Sequence, residues 1–327
     1  MAWDSVPWFI GGGAQHSPEV ARLLAYAATS GAEGLVEPGD LKVSALSVPG
    51  ASVNIAPGAA LIRNRAAGGT SQTYVARNPI QDTVKIAATS GSKRSDLIVA
   101  QIEDPFMAGE PWQDPADPTV GPYIFTRVIS NVPAGTQRLQ DVPAYAGRSA
   151  VTLARIDIPA STGTITNAMI TDLRRVALPR SQRELLQAQS TGGPSTTAVD
   201  PLNTSTYKAW PRAASWEVEI PEWATHAQVR GDVQSYVLKV GNAVGTLRAA
   251  FLGQVGRVSS FDENWGGSSG QNTRNSLGFA HVFEVPAAMR GTTQTLRFEG
   301  KRDGAGYIDA DAFTVSLADV TFSQKAA

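Results

Sequence analysis

The stretch Gly31–Ile62, GAEGLVEPGDLKVSALSVPGASVNIAPGAALI, limits what this chain can fold into more than any other part of it. Leu41, Val43 and Ala45 alternate with other residues, Val48-Pro49-Gly50 interrupts, Val53 and Ile55 resume the alternation, and Pro57-Gly58 interrupts again. A helix needs apolar residues three and four apart, whereas a spacing of two places them on one face of a strand. Proline removes a backbone donor and glycine opens conformations that other residues resist, so each Pro-Gly pair stops a strand and turns the chain. The segment predicts short, tightly turned strands.

The same pattern continues to about Ile158, with the clearest strands at Thr83–Ala87, Ser95–Ile102, Tyr123–Ile129 and Ala150–Ile158. In DLIVAQI (Asp96–Ile102) both alternating faces are apolar, which predicts a central strand covered on both sides. Residues 103–122, EDPFMAGEPWQDPADPTVGP, hold Asp-Pro three times; proline excludes a central strand there and leaves an extended loop, long enough for an interface or an arm. Ahead of the strands, Ser17-Pro18-Glu19 has the N-cap, first-turn proline and acidic residue of a helix start. Val20, Leu23, Leu24 and Ala27 would be its buried stripe and Gly31 its stop. Residues 1–15 read as an extended apolar arm carrying Trp3, Trp8 and Phe9, suited to docking on its own domain or on a neighbouring subunit.

Thr171–Val176 closes a first domain, residues 1–177. Residues 179–190, PRSQRELLQAQS, have helical propensity with Leu185 and Leu186 as the only strong anchors, and TGGPSTTAVDPLNTST follows. Residues 178–206 therefore read as a linker, part helix and part Gly/Ser/Thr/Pro. In the second domain, residues 207–327, period two returns. Trp216, Val218 and Ile220 share a face, as do Leu277, Phe279, His281, Phe283 and Val285, and then Phe313, Val315 and Leu317. The expected fold is mainly β: an arm and short helix, a β-rich anchoring domain, a linker helix, and a C-terminal antiparallel β-sandwich of jelly-roll type.

Composition narrows the function by exclusion. The 327 residues allow two or three domains. Before Asp200 there are 16 basic and 16 acidic residues, and from Asp200 onward 12 and 13, so neither part carries the basic excess that phosphate-backbone binding needs. Nucleic acid is not an expected partner. Cysteine is absent, which removes disulfides, thiolate nucleophiles and Cys-zinc sites together. The start, MAWDSVPWFIGGG, lacks a basic segment followed by a long apolar run, and no window approaches the roughly 20 apolar residues of a membrane span. A chain made in a cytoplasm and not inserted in a membrane is expected.

Chemistry-bearing constellations are few. Of the three histidines, His16 lies at a helix start and His281 inside an apolar alternation, and no Gly-x-Ser-x-Gly elbow accompanies them or His226. Gly11–Gly13 precedes a helix, but G-x-G-x-x-G fails because His16 holds its sixth position, and no cofactor is expected. Asp303, Asp309 and Asp311 flank Gly304 and Gly306 in RDGAGYIDAD, either as hard oxygen ligands for calcium or as the ordinary Asp-Gly of a hairpin. Asp262 and Glu263 could act as a glycosidase pair, although sequence neighbours rarely straddle a sugar. Trp210, Trp216, Trp223 and Trp265 enrich the second domain in indoles. Core packing is the expectation for Trp216. Trp265, on a Gly/Ser-rich loop with Asp262, Asn264, Gln271 and Asn272, has the indole face and carboxamides of a glycan-reading surface.

Five segments carry a further likeness: Gly31–Ile62, SQTYVARN (Ser71–Asn78), SDLIVAQIEDP (Ser95–Pro105), YIFTRVISNVPAG (Tyr123–Gly135) and ITDLRRVA (Ile170–Ala177). In that order and spacing they resemble minor tail proteins of siphophages that infect actinobacteria, over roughly residues 1–180. The resemblance implies a virion component that is not an enzyme. Its first domain would pack into the tail tip or baseplate among other tail-tip proteins. Its second would project toward the host surface and its glycans. It also implies a homo-oligomer, with a trimer favoured and the linker helices at its axis. A tail-associated glycan depolymerase and a purely structural tail protein are the rival readings.

Overall fold

A computed structural model of the chain describes residues 12–69, 71–107, 112–191, 200–263 and 273–326. It is mainly β and divides into two compact units, one reaching Leu178 and taking in Ala326, the other spanning Pro179–Lys325. Among the described residues there is one α-helix, α1 (Pro18–Ala28), and no helix is long and apolar enough to cross a membrane.

The N-terminal unit contains strands β1 (Gly34–Leu35), β2 (Val43–Ala45), β3 (Ser52–Ile55), β4 (Gly58–Arg63), β5 (Thr73–Asn78), β6 (Asp82–Lys85), β7 (Arg94–Ile102), β8 (Ile124–Ile129), β9 (Ala150–Ile158) and β10 (Ile170–Asp172). They form antiparallel sheets ordered β1-β4-β5, β2-β3-β6 and β10-β9-β7-β8. The two Pro-Gly turns do different work. Pro49-Gly50 lies in a hairpin that sets Val43 opposite Ile55, whereas Pro57-Gly58 carries the chain from β3 in one sheet into β4 in another. Strand β7 is central, between β9 and β8, as its doubly apolar sequence requires. Ile98, Ala100 and Ile102 enter one core, while Leu97 and Val99 enter a second.

The opening segment is fastened to Thr171–Val176. Gly34 has φ 138°, and a Cβ there would collide with the carbonyl oxygen of Arg175. Leu35 N–H donates to that oxygen at 2.7 Å. The buried Arg174 donates to the carbonyls of Pro38 (3.2 Å) and Asp40 (2.6 Å), and its guanidinium is held by the Asp172 carboxylate. Two segments far apart in sequence thus close one unit.

Helix α1 is capped by Ser17, whose hydroxyl accepts from the N–H groups of Glu19 (3.1 Å) and Val20 (3.4 Å). Its expected stripe is not buried: Leu23, Leu24 and Ala27 are exposed, and Ala21, Arg22, Ala25 and Tyr26 are half-buried instead. Arg22 explains the rotation. Its Nε donates to Gln72 at 2.6 Å and its guanidinium lies 5.1 Å from the centre of the Tyr74 ring, so the inward face of the helix is the one that carries Arg22.

The C-terminal unit contains β11 (Ser181–Gln189), β12 (Asp200–Pro201), β13 (Lys208–Ala209), β14 (Ser215–Glu219), β15 (His226–Val240), β16 (Ala243–Phe251), β17 (Gln254–Val255), β18 (Ser259–Glu263), β19 (Thr273–Glu284), β20 (Thr293–Arg302), β21 (Tyr307–Ala310) and β22 (Val315–Ser323). Its eight longer strands, apart from the short pieces β12, β13, β17 and β21, pair as β11-β22-β15-β19 and β14-β20-β16-β18. Numbered one to eight along the chain, these orders are 1-8-3-6 and 2-7-4-5, the wiring of a jelly roll. Val229, Phe283, Val320 and Phe322 from the first sheet and Val218, Leu247, Leu296 and Phe298 from the second meet in one core. Phe279 and Phe298 cross edge to face at 4.7 Å above Gly231, where any Cβ would collide with both rings.

Two further expectations change. Residues 179–190 are not a linker helix: Ser181–Gln189 is β11, paired over nine residues with β22. Its helix-forming residues yield to this tertiary pairing, with Glu184, Leu186 and Ala188 turned half-inward and Leu185 exposed. The second unit accordingly begins at Pro179, not at 207, and residues 178–206 are not a linker between domains. The shared face of Phe313, Val315 and Leu317 lies outside the core. Register with β15 sets Ala318 opposite Gly231 and Val320 opposite Val229, so the buried face of β22 is the alternate one.

Candidate functional site

The candidate glycan-reading residues fall between β18, which ends at Glu263, and β19, which starts at Thr273. Asn264, Trp265, Gln271 and Asn272 lie outside the described residues, as do Trp3, Trp8 and Phe9 of the arm. The strands that frame the loop are described. Consecutive residues of β18 point to opposite faces, so Asp262 is exposed while Glu263 turns inward. Glu263 accepts from the phenol of Tyr236 at 2.6 Å and from the side-chain amide of Asn275. Burial first, then the bond to Glu263 and the charge of that carboxylate, push the Tyr236 phenol well above its ordinary pKa. It stays a neutral donor. Asp262 and Glu263 do not converge on one ligand, and Glu263 is engaged in linking β18 to β15 and β19.

The partner strand of the loop is braced in the same way. Arg274, at the start of β19, grips Asp311 through two bonds of 3.0 and 2.5 Å, donates to the Ser235 carbonyl at 2.7 Å, and lies 5.1 Å from the Phe313 ring centre. Ser235 sits at a bulge in β15 with φ 59°, and beyond it the strand leaves β22 and pairs with β21. The bulge turns Tyr236 toward Glu263 and leaves the Ser235 carbonyl to accept from Arg274 and from the Thr314 hydroxyl.

The three carboxylates considered for calcium are not brought together. Asp311 belongs to Arg274. Asp309 is fully buried and accepts from the Asp200 N–H at 2.8 Å. Asp303 pairs with Lys301 at 2.6 Å. Among the described residues no group of three acidic, His or Cys side chains is placed to hold a metal. The histidines are apart as well: His226 bonds Thr225 at 2.9 Å, and His281 meets the Phe283 ring edge-on at 4.7 Å. Burial, with Lys325 nearby, lowers the His226 pKa. The described indoles of this unit are structural. Trp210 is fully buried with its N–H on the Asp200 carbonyl (2.7 Å), and Trp216 and Trp223 pack on the core.

A second candidate lies in the N-terminal unit. A groove of about 530 Å³ is lined by α1, the edge strand β5 and the Pro-rich segment after β7. Val75 and Phe106, each 67 % exposed, form its apolar walls with Met107 and Ile124. Arg77 also lines it. The three Asp-Pro pairs of residues 103–122 were the only sequence signal of this groove; nothing in the β5 sequence announced Val75 as exposed.

No family model matches the chain, and no curated protein matches it. Among solved structures, the VP2 subviral particle of infectious bursal disease virus is 12% identical over 90% of this chain and 70% of the viral chain, with a TM-score of 0.24. The insecticidal delta-endotoxin Cry8Ea1 of Bacillus thuringiensis is 11% identical over 90% of this chain and 51% of its own, TM-score 0.24. Dimeric latent PorU of Porphyromonas gingivalis is 9% identical over 93% and 26%, TM-score 0.29. Scores at this level carry no argument, and the fold rests on the strand pairing itself.

Proposed function

We propose that the chain is a structural virion protein of a phage tail tip or baseplate. The N-terminal unit is the anchor among other tail-tip subunits, and the jelly roll contacts the host surface. One coincidence supports this reading most: the resemblance to siphophage minor tail proteins ends near residue 180, and the first compact unit ends at Leu178. The resemblance and the first compact unit then share one boundary, with a separate β-sandwich beyond it. Contact with envelope glycan would use the braced loop end, Asp262 with Asn264, Trp265, Gln271 and Asn272. Several copies on one particle, a trimer favoured, would add weak sites into avidity. The protein is not an enzyme in this reading. The divergence of Asp262 from Glu263 speaks against the glycan depolymerase.

The test uses the fluorescently labelled full chain on actinobacterial cells, beside a variant with residues 264–272 replaced by Gly and Ser. Saturable adsorption that falls at least about tenfold in the variant supports surface contact. Equal adsorption of both would move the contact away from residues 264–272, and none by either leaves a purely structural tail protein. Release of soluble oligosaccharide from purified envelope, abolished by Asp262→Ala, would establish the depolymerase instead.

A further inference from the structure

We infer that the groove of the N-terminal unit is the docking site of this chain's own residues 1–11. The inference concerns this unit alone and does not depend on the function proposed above. The groove needs an apolar occupant. Val75 and Phe106 stand two-thirds exposed on its walls, and β5 lies at the edge of its sheet, where an uncovered strand invites pairing.

The occupant is set by where the chain enters. Pro18, the first residue of α1, itself lines the groove, so the preceding segment is delivered to its rim. Gly12 and Gly13 both have positive φ, 73° and 81°, which turns the chain immediately after residue 11. The segment delivered there, MAWDSVPWFIG, holds Trp3, Trp8, Phe9 and Ile10, and proline at position 7 favours an extended form. Eleven extended residues reach up to about 36–40 Å, against about 20 Å for a six-residue strand such as β5. Length is sufficient. Charge agrees as well: Asp4 is the only charged side chain of the segment, and Arg77 in the groove has no ion pair among the described residues. A tethered segment also acts at an effective concentration in the millimolar range, which favours it over the same segment of a second copy.

Because the chain has no cysteine, an engineered pair reports on proximity directly. The full chain carrying Ser5→Cys and Val75→Cys is oxidised with oxidised glutathione beside a control carrying Ser5→Cys and Val48→Cys, Val48 being an exposed site outside the groove. The expected result is an intramolecular disulfide in the first protein, forming at least about tenfold faster than in the control. Equal rates in the two would overturn the inference. So would covalent dimers as the main product, which assign the groove to the arm of another copy. A cysteine-free measurement guards against misfolded variants: deleting residues 2–11 should raise hydrogen exchange at 73–78 and 103–107. Unchanged exchange there refutes the docking.

Discussion

The two units solve the same problem, closing antiparallel sheets around a core, with opposite results. The jelly roll uses strands of up to 15 residues, and its two sheets share one core. The N-terminal unit uses three small sheets, splits its interior in two, and among the described residues leaves ten large apolar side chains exposed against five in the jelly roll. Short strands bury little per residue, and every additional small sheet adds edges. The N-terminal unit therefore exposes more large apolar side chains than the jelly roll does. The jelly roll gathers the apolar residues of both its sheets into one core.

The strongest way to break this comparison is to weaken one unit and watch the other. Phe298→Ala removes a fully buried ring that meets both Trp216 and Phe279, and should cost the jelly roll about 3–5 kcal/mol. Differential scanning calorimetry of the full chain should show two transitions, with only one shifted down. A single transition that moves as a whole would mean that the units do not unfold independently, and the contrast drawn above would fail.

Gly231→Ala sharpens the point with the addition of one carbon. Its Cβ must displace Phe279 or Phe298, an overpacking that should cost about 1–3 kcal/mol and lower the denaturant midpoint of the jelly-roll transition alone. If the midpoint stays in place, the edge-to-face pair has room to yield and the core is looser than its burial indicates.

What the sequence disclosed and what it hid follow from the same difference. Ala150–Ile158 and Ser95–Ile102 were legible because an apolar strand in mid-sheet has few alternatives, and Ser17 was legible because a cap is a local device. The strand Ser181–Gln189 was not, since its composition is helical and only its pairing with β22, more than a hundred residues away, makes it extended. Which face of β22 is buried was hidden for a related reason. Phe313, Val315 and Leu317 alternate as cleanly as Ala318, Val320 and Phe322, and register with β15 alone decides between them. At the loop end, Asp262, Glu263, Asp303, Asp309 and Asp311 stood out as carboxylates. Their partners Arg274, Tyr236, Lys301 and the Asp200 N–H are set by tertiary packing, which no spacing encodes.

The smallest expected effect is electrostatic, and it tests whether the outer face of the jelly roll adds to its stability. Burial alone would raise the Glu299 pKa, but its bonds to Arg248 and Arg297, at 2.8 Å each, outweigh burial and hold the carboxyl below its ordinary value. Fewer protons then bind the folded state than the unfolded one at the same pH. The stabilisation is therefore fully present above the ordinary value of 4.5 and is lost as the pH falls through the lower folded value. Arg248 also stacks on Tyr207, its guanidinium carbon 3.6 Å from the ring centre, so Arg248→Ala would mix packing with charge. Glu299→Gln isolates the charge. It should lower the jelly-roll midpoint at pH 7 by the equivalent of about 0.5–1 kcal/mol and by less at pH 3. The same loss at both pH values would assign the effect to hydrogen-bond geometry rather than to charge.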